Sequence, residues 1–264
     1  MKNDQPMTEP KIGISASIIA KDEADRIEIL LESLDFVDEI VVVDSGSSDD
    51  TVSICESHGA RVIFRDWMGY VGQKQFALEQ CSGEWIICLD ADESVSAELK
   101  AEISMVLKGV DSAVVAFSIP RLSRYLGKWI RHGGWYPDRK IRLVRRNGAG
   151  WVGDSIHEKL QPGGPTRELK SPILHYVYRD ITDQVNTINK FSSVVAKADL
   201  KSRSWLYVVL GVFHAVGKFL ECAIWKAGLL DGIPGLIIAM NSSFYVFLKH
   251  AKKWEKDSDH SLQP

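Results

Sequence analysis

Residues 84–93 read Glu-Trp-Ile-Ile-Cys-Leu-Asp-Ala-Asp-Glu, and the fold turns on that stretch. Trp85 to Leu89 is a short apolar run followed at once by charge, the pattern of a buried strand. Side chains alternate faces along a strand, so residues two apart point the same way. Strand geometry carried through Ala91 would aim Asp90 and Asp92 at one point. Two convergent carboxylates at a strand's C-terminal end suit a hard divalent cation that also holds phosphates. The competing reading is a helix cap, with Asp92 or Ser94 capping a helix that starts near Ser96. The motif alone does not separate the two.

Upstream, the chain alternates. Ile12 to Ile19 reads as a strand, and Asp22 to Asp35 as a helix with Ile27, Leu30, Leu31 and Leu34 on one face. Ile40 to Val43 is continuous in β-branched residues, as a buried parallel strand should be. Asp44-Ser-Gly-Ser-Ser-Asp-Asp-Thr51 is a turn leading into a helix through His58. Arg61 to Arg65 is a third strand and Gly72 to Gln80 a helix. Strands alternating with helices predict an α/β fold with a mostly parallel sheet. Open sheets of this kind bind ligands outside the C-terminal strand ends. Ala20-Lys-Asp-Glu23, Asp44-Ser45 and Asp90-Ala-Asp92 all fall at such ends.

Downstream, Leu99, Ile103, Val106 and Leu107 mark a helix, and Ala113 to Ile119 a strand. From Pro120 to His175 the pattern is irregular and rich in Trp, Gly, Arg and His, with a strand at Lys140 to Val144. A long irregular stretch inside a compact domain points to function. From Trp205 the chain turns strongly apolar. Its longest uncharged run, Gly232 to Leu248, falls short of the about 20 apolar residues that a membrane span needs. Leu236, Met240, Phe244 and Phe247 make a helical stripe, followed by Lys249, His250, Lys252 and Lys253. That combination predicts a helix lying in the membrane interface beside anionic headgroups. The alternative is a helix packed on the catalytic domain, or on a second copy in a homo-oligomer. The expected organisation is a flexible tail at 1–10, a catalytic domain at 11–195 and a C-terminal amphipathic helical region at 196–264. Within the catalytic domain, 11–110 would bind the nucleotide and 111–195 would face the acceptor.

Composition narrows the function. The formal net charge is −3, so no global basic field argues for a nucleic-acid partner. The four cysteines lack Cys-x-x-Cys or zinc spacing, ordinary usage for a reduced compartment. The opening MKNDQPMTEP has no apolar core, so a secretory leader is not expected there and the chain is expected in the cytosol.

Single residues admit two readings each. The Asp44 turn is acidic and lacks the Gly-x-x-x-x-Gly-Lys pattern, so it is no phosphate cradle. Asp44 suits a ribose or a uracil imide, or merely the turn itself. Lys74 can neutralise diphosphate charge or be a solvated helix lysine. Asp138 follows Trp135-Tyr-Pro in the irregular segment where an acceptor would approach. His157 and Glu158 are adjacent, so on a strand only one serves a given site. His157 is a third metal ligand, a phosphate partner or a structural histidine. No Ser sits in a Gly-x-Ser-x-Gly elbow.

Ile-Ile-Ala-Lys-Asp-Glu (18–23), Val-Val-Asp-Ser-Gly-Ser-Ser-Asp-Asp-Thr (42–51) and Ser-Gly-Glu-Trp-Ile-Ile-Cys-Leu-Asp-Ala-Asp-Glu (82–93) resemble, in order, a family 2 glycosyltransferase with the Rossmann-like GT-A fold. Trp-Tyr-Pro-Asp-Arg-Lys-Ile-Arg-Leu (135–143), His-Glu (157–158) and Gly-Leu-Leu-Asp-Gly-Ile-Pro-Gly (228–235) are similar to the lipopolysaccharide core-type subgroup. The resemblance implies that Ala20, Asp22 or Glu23, Asp44 and Lys74 line a nucleotide pocket. Asp90 and Asp92 would be the family's Asp-x-Asp, contacting the ribose and a Mg²⁺ or Mn²⁺ on the diphosphate. Asp138 would stand for the Asp of the family's Glu-Asp pair as general base. Pro137 replaces the Glu, which keeps Glu158 as a rival. The expected activity is metal-dependent, inverting transfer of a hexose from a UDP-sugar to a lipid-linked saccharide. It would take place on the inner face of the cytoplasmic membrane, with the enzyme held there peripherally. A nucleotidyltransferase would share the sheet, but calls for a Gly-rich, basic triphosphate loop where Ala20-Lys-Asp-Glu23 stands. A non-catalytic, membrane-attached binding protein would need no metal site.

Overall fold

The computed structural model describes residues 13–153, 158–197 and 205–259. The expected tail at 1–10 and His157 lie outside them. The chain divides into two compact units, one built from residues up to Arg121 with Arg139–His175, the other from Leu122–Asp138 with Tyr176 onward.

The first unit begins as the alternation predicts, with β1 (Ile14–Ala20), α1 (Ile27–Glu32), β2 (Glu39–Asp44), α2 (Thr51–Ser57), β3 (Arg61–Phe64), α3 (Gly69–Glu79) and β4 (Trp85–Asp90). Both β2 and β4 run parallel to β1, and β3 runs parallel to β2. There follow β5 (Glu93–Val95), α4 (Ala97–Leu107), β6 (Ala116–Tyr125), β7 (Lys128–Trp129), β8 (Asp138–Arg145), β9 (Ala149–Val152), β10 (Lys159–Pro162), β11 (Thr166–Glu168) and β12 (Ile173–His175), of which β7 and the end of β6 from Leu122 belong to the second unit. The main sheet has the order β3-β2-β1-β4-β8-β6-β12-β5, with β8 antiparallel to β4. Residues of β4 alternate between two cores, as the strand period requires. Trp85, Ile87 and Leu89 join Leu30, Leu99 and Ile103 on the α1 and α4 side, while Ile86 and Cys88 join Leu78, Trp151 and Leu160 on the other.

Three elements differ from expectation. The helix expected over 22–35 is regular only from Ile27 to Glu32. Asp22 sits at φ 53°, and its Oδ1 accepts the Ser48 backbone N–H at 2.7 Å. The Asp22 N–H donates to Ser47 Oγ at 3.0 Å, so this segment is tied to the turn after β2 rather than to a helix. Strand geometry in β4 ends at Asp90, and the chain turns through Ala91 and Asp92 into β5. Glu93 Oε2 closes that turn by accepting the Asp90 N–H at 3.0 Å. The cap of α4 is Ser96, whose hydroxyl accepts from the Leu99 N–H at 3.2 Å.

The second unit contains α5 (Ile181–Lys197), α6 (Trp205–Leu220) continued by a π turn at Glu221–Trp225, a 3₁₀ turn at Gly228–Asp231, and α7 (Ile233–Asp259). The boundary expected at 195/196 therefore falls inside α5. Helices α6 and α7 pack closely because position 211 is glycine: a Cβ there would lie 2.6 Å from that of His250. Likewise a Cβ at 235 would lie 1.9 Å from the Gly228 carbonyl oxygen, so the Gly-Leu-Leu-Asp-Gly-Ile-Pro-Gly segment owes its glycines to backbone contact. Asp231, at its centre, accepts the backbone N–H groups of Arg131 and His132 at 3.1 and 2.8 Å.

Candidate active site

The turn after β2 is built by Asp44. Its Oδ2 accepts the N–H groups of Gly46 and Ser47 at 2.7 and 2.9 Å, and its Oδ1 accepts the Ser47 hydroxyl at 2.5 Å. Gly46 takes φ 86°, a conformation that favours glycine. The Ala20 carbonyl accepts the Ser45 N–H at 3.1 Å, which joins the ends of β1 and β2. Glu23 lies on the same rim; its Oε2 meets Arg26 Nε at 2.5 Å and its N–H donates to Thr51 Oγ1 at 2.8 Å. Ala20, Asp22, Glu23 and Asp44 thus share one sheet edge, linked through their loops.

Asp90 and Asp92 have separate partners. Asp90 Oδ1 is 2.8 Å from Lys74 Nζ, and its Oδ2 is 2.5 Å from Arg142 Nη2. Arg142 also reaches Glu93 Oε1 at 2.9 Å, and Glu93, whose side chain is fully buried, meets Arg121 at 3.3 Å. Lys74 Nζ lies 3.1 Å from Glu158 Oε1 and 4.8 Å from the Trp151 ring centroid. Burial alone would raise the Asp90 carboxyl, but the charges of Arg142 and Lys74 outweigh it and hold the group well below the usual carboxylate range. Burial opposes the charge on Lys74 and Arg142 in turn, and their carboxylate neighbours overcome it, so both are more firmly protonated than in water.

Asp92 Oδ2 lies 3.4 Å from His175 Nε2 and 3.8 Å from Arg26 Nη1. His175 is buried at the end of β12, which pairs antiparallel with β5 so that His175 stands opposite Glu93. Sequence reasoning missed this histidine. It lies far along the chain from Asp92, in a three-residue strand too short to show a period, and only the β5–β12 pairing brings it near.

Lys74, Asp90 and Glu158 also line a cavity of about 570 Å³ together with residues of β8, β9 and β10. Asp138, the other sequence candidate for a base, begins β8 and belongs to the second unit. Among the described residues, no cluster of three or more His, Cys, Asp or Glu side chains is arranged to hold a metal.

Comparison with known proteins agrees with this architecture. The chain is 48% identical to an uncharacterised glycosyltransferase of Rickettsia conorii over 90% of its own length and 89% of the relative's. It is 30% identical to the lipopolysaccharide core biosynthesis glycosyltransferase LpsC of Rhizobium meliloti over 96% of this chain and 95% of that one. Among solved structures, mannosyltransferase PcManGT of Pyrobaculum calidifontis, in complex with GDP-Man and Mn²⁺, superposes with a TM-score of 0.54 at 15% identity, covering 92% of this chain and 87% of that one. At that identity the likeness shows the fold alone, the GT-A arrangement. The model of glycosyl transferase family 2 matches residues 15–158, and the chain belongs to that family.

Proposed function

We propose that this glycosyltransferase is metal-dependent and inverting, and moves a hexose from a UDP-sugar to a lipid-linked saccharide such as lipopolysaccharide core. The observation that carries the reading is the pair formed by Asp92, in the turn after β4, and His175, at the end of β12, beside the charge-compensated Asp90. Two ligands of one cation, each about 2.1 Å from it, stand roughly 3 Å apart at right angles. The 3.4 Å between Asp92 Oδ2 and His175 Nε2 fits that spacing. The carboxylate suits Mn²⁺ or Mg²⁺, and the imidazole beside it favours Mn²⁺ of the two, with diphosphate oxygens and water completing the shell. Bound there, the cation would supply Lewis-acid stabilisation of the leaving diphosphate. Asp90 then organises cations: it fixes Lys74 and Arg142 against the sheet edge, and both can stabilise phosphate charge as it develops. The rim formed by Ala20, Asp22, Glu23 and Asp44 offers acceptors to the ribose and base.

The acceptor hydroxyl needs one base on the face opposite the leaving group, and a single displacement then inverts the anomeric centre. We assign that role to Asp138. Glu158 is its rival, but its carboxylate is already held in an ion pair with Lys74 Nζ at 3.1 Å. Asp138→Asn is expected to lower turnover about a hundredfold or more while UDP-sugar affinity holds. Glu158→Gln should act mainly by releasing Lys74, with a smaller loss. Initial rates and calorimetric UDP-sugar affinities of both variants decide it; the reverse order moves the base to Glu158.

The second unit supports membrane attachment. From Trp205 to Trp225 the chain forms 21 residues of helix, long and apolar enough to cross a membrane by length and composition. Leu206, Leu210, Phe213, Val216, Leu220 and Trp225 are exposed along it. A contiguous apolar face of this size marks a partner or a bilayer surface. We assign it to the inner face of the cytoplasmic membrane, with the enzyme held peripherally. In flotation assays with vesicles containing phosphatidylglycerol, Phe213→Glu with Leu210→Glu is expected to cut binding at least about tenfold, since each apolar side chain contributes on the order of 2 kcal/mol. Unchanged flotation would overturn the assignment.

A further inference from the structure

The cavity beside Asp90 extends away from the nucleotide rim. Asp44, on β2, lies two strands from β4 on one side, whereas the cavity walls come from β8 and β6 on the other side and from the β9–β10 hairpin. Besides Lys74 and Arg142, these walls carry Arg121, Arg139, Lys140 and Lys159. The only carboxylates among the lining residues are Asp90 and Glu158. Both are already engaged by cations, and from outside the lining Glu93 pairs with Arg121 and Arg142 and Glu168 with Arg139, which leaves six cations against four carboxylates. The volume of about 570 Å³ lies in the range of small-ligand sites.

This charge balance is not what a neutral sugar calls for. A neutral saccharide is held by hydroxyl and carboxylate partners with an aromatic platform; Trp151 offers the platform here, but both lining carboxylates are taken up by cations. Guanidinium groups are matched to carboxylate and phosphate. Arg142 keeps a donor in reserve: among the described residues its buried Nε has no hydrogen-bond partner after two carboxylates have taken Nη2. A low-dielectric cleft lined with one sign of charge also concentrates ligands of the opposite sign.

We propose that this cavity is the acceptor subsite and that it selects an acidic saccharide, one carrying a phosphate or carboxylate near the hydroxyl that is glycosylated. The proposal rests on the transferase reading above and adds the chemical class of its acceptor. Arg139 and Lys140 both line the cavity at the start of β8, Arg139 with its guanidinium 3.4 Å from the exposed Glu168 and 3.0 Å from the Leu169 carbonyl, and they are the residues that discriminate. Both are exposed, so changing them leaves the cores intact.

The test is calorimetry on the full chain saturated with UDP and Mn²⁺, using glucose 6-phosphate, glucuronate and glucose as probes. The two acidic sugars are expected to bind at least about tenfold tighter than glucose, the factor that one charged hydrogen bond supplies. Their affinity should fall as salt is raised. Arg139→Gln with Lys140→Gln should bring both acidic probes to the level of glucose without altering UDP affinity, and Arg139→Lys should retain part of the preference. Equal binding of the three sugars, binding of none, or indifference to the double change overturns the proposal. Competition between acidic probe and UDP also overturns it, because the cavity would then belong to the donor. Failure of UDP itself to bind counts against the donor reading instead, and the comparison of acidic with neutral sugar still stands when read without nucleotide.

Discussion

Asp92→Asn is expected to lower sugar transfer from a UDP-sugar at least about a hundredfold, the scale of losing one electrostatic stabiliser of a developing anion. Asparagine keeps the size of the side chain but removes its charge, and a neutral amide is a poor ligand for a hard cation that must also hold a diphosphate. Asp92 is partly exposed and makes its contacts at 3.4 and 3.8 Å, so the fold should tolerate the change. The thermal midpoint should shift by no more than about 3 °C, the equivalent of roughly 1 kcal/mol. His175→Gln should weaken Mn²⁺ in the same assay, read as the metal concentration giving half-maximal rate. Transfer at the wild-type rate in Asp92→Asn would remove the metal reading. A loss in Asp92→Asn with no change of metal response in His175→Gln would leave Asp92 in place and require a different second ligand.

Arg142→Ala is expected to be the most destabilising single change in the first unit. Its guanidinium lies between Asp90 and the fully buried Glu93. Removing it leaves two carboxylates facing each other with less compensation. Breaking a buried ion pair costs about 3–5 kcal/mol. Arg121 remains 3.3 Å from Glu93 and Lys74 remains on Asp90, so the lower end of that range applies. For a chain of this size, each 1 kcal/mol corresponds to about 2–4 °C in Tm, which a calorimetric scan resolves. The pH dependence follows from Asp90. Its folded-state pKa lies below the unfolded value of about 3.9, so its contribution is present above that value and is lost as pH falls through the folded value. The gap between wild type and Arg142→Ala should therefore be full at neutral pH and narrow below about pH 4. A gap that widens in acid would contradict this account of the pair.

How much of this was readable beforehand differs from element to element. Strands β2 and β4 were legible because a strand buried on both faces is a continuous apolar run, and Ile40–Val43 and Trp85–Leu89 are such runs. The early end of regular helix near Asp22 was not. It depends on Asp22 bonding to Ser47 and Ser48, a contact that no local pattern announces. In sequence the apolar stretch of α6 is interrupted by Lys218, Glu221 and Lys226, which leaves Gly232–Leu248 as the longest uncharged run. In the structure Glu221 pairs with Lys218 at 3.1 Å and Lys226 at 2.6 Å, so the interruption is largely neutralised. Here a charge count along the chain and the charge balance in space give different answers.

The pattern of apolar runs and breaks, by itself, determined the α/β alternation, the sheet edge where the acidic clusters collect, and the membership of Asp44, Asp90 and Asp92 in that edge. Those are local properties, set by strand period and by the short reach of a turn. What each carboxylate meets was decided only by the tertiary structure. Asp90 ends on the parity of Cys88 and is taken up by Lys74 and Arg142, while Asp92, past the turn, faces His175 from a strand paired at the far end of the sheet order. The physical reason is range: a strand's alternation is fixed by its own backbone, but the charge around a buried carboxylate is supplied by residues distant in sequence that long-range pairing alone brings within a few ångströms.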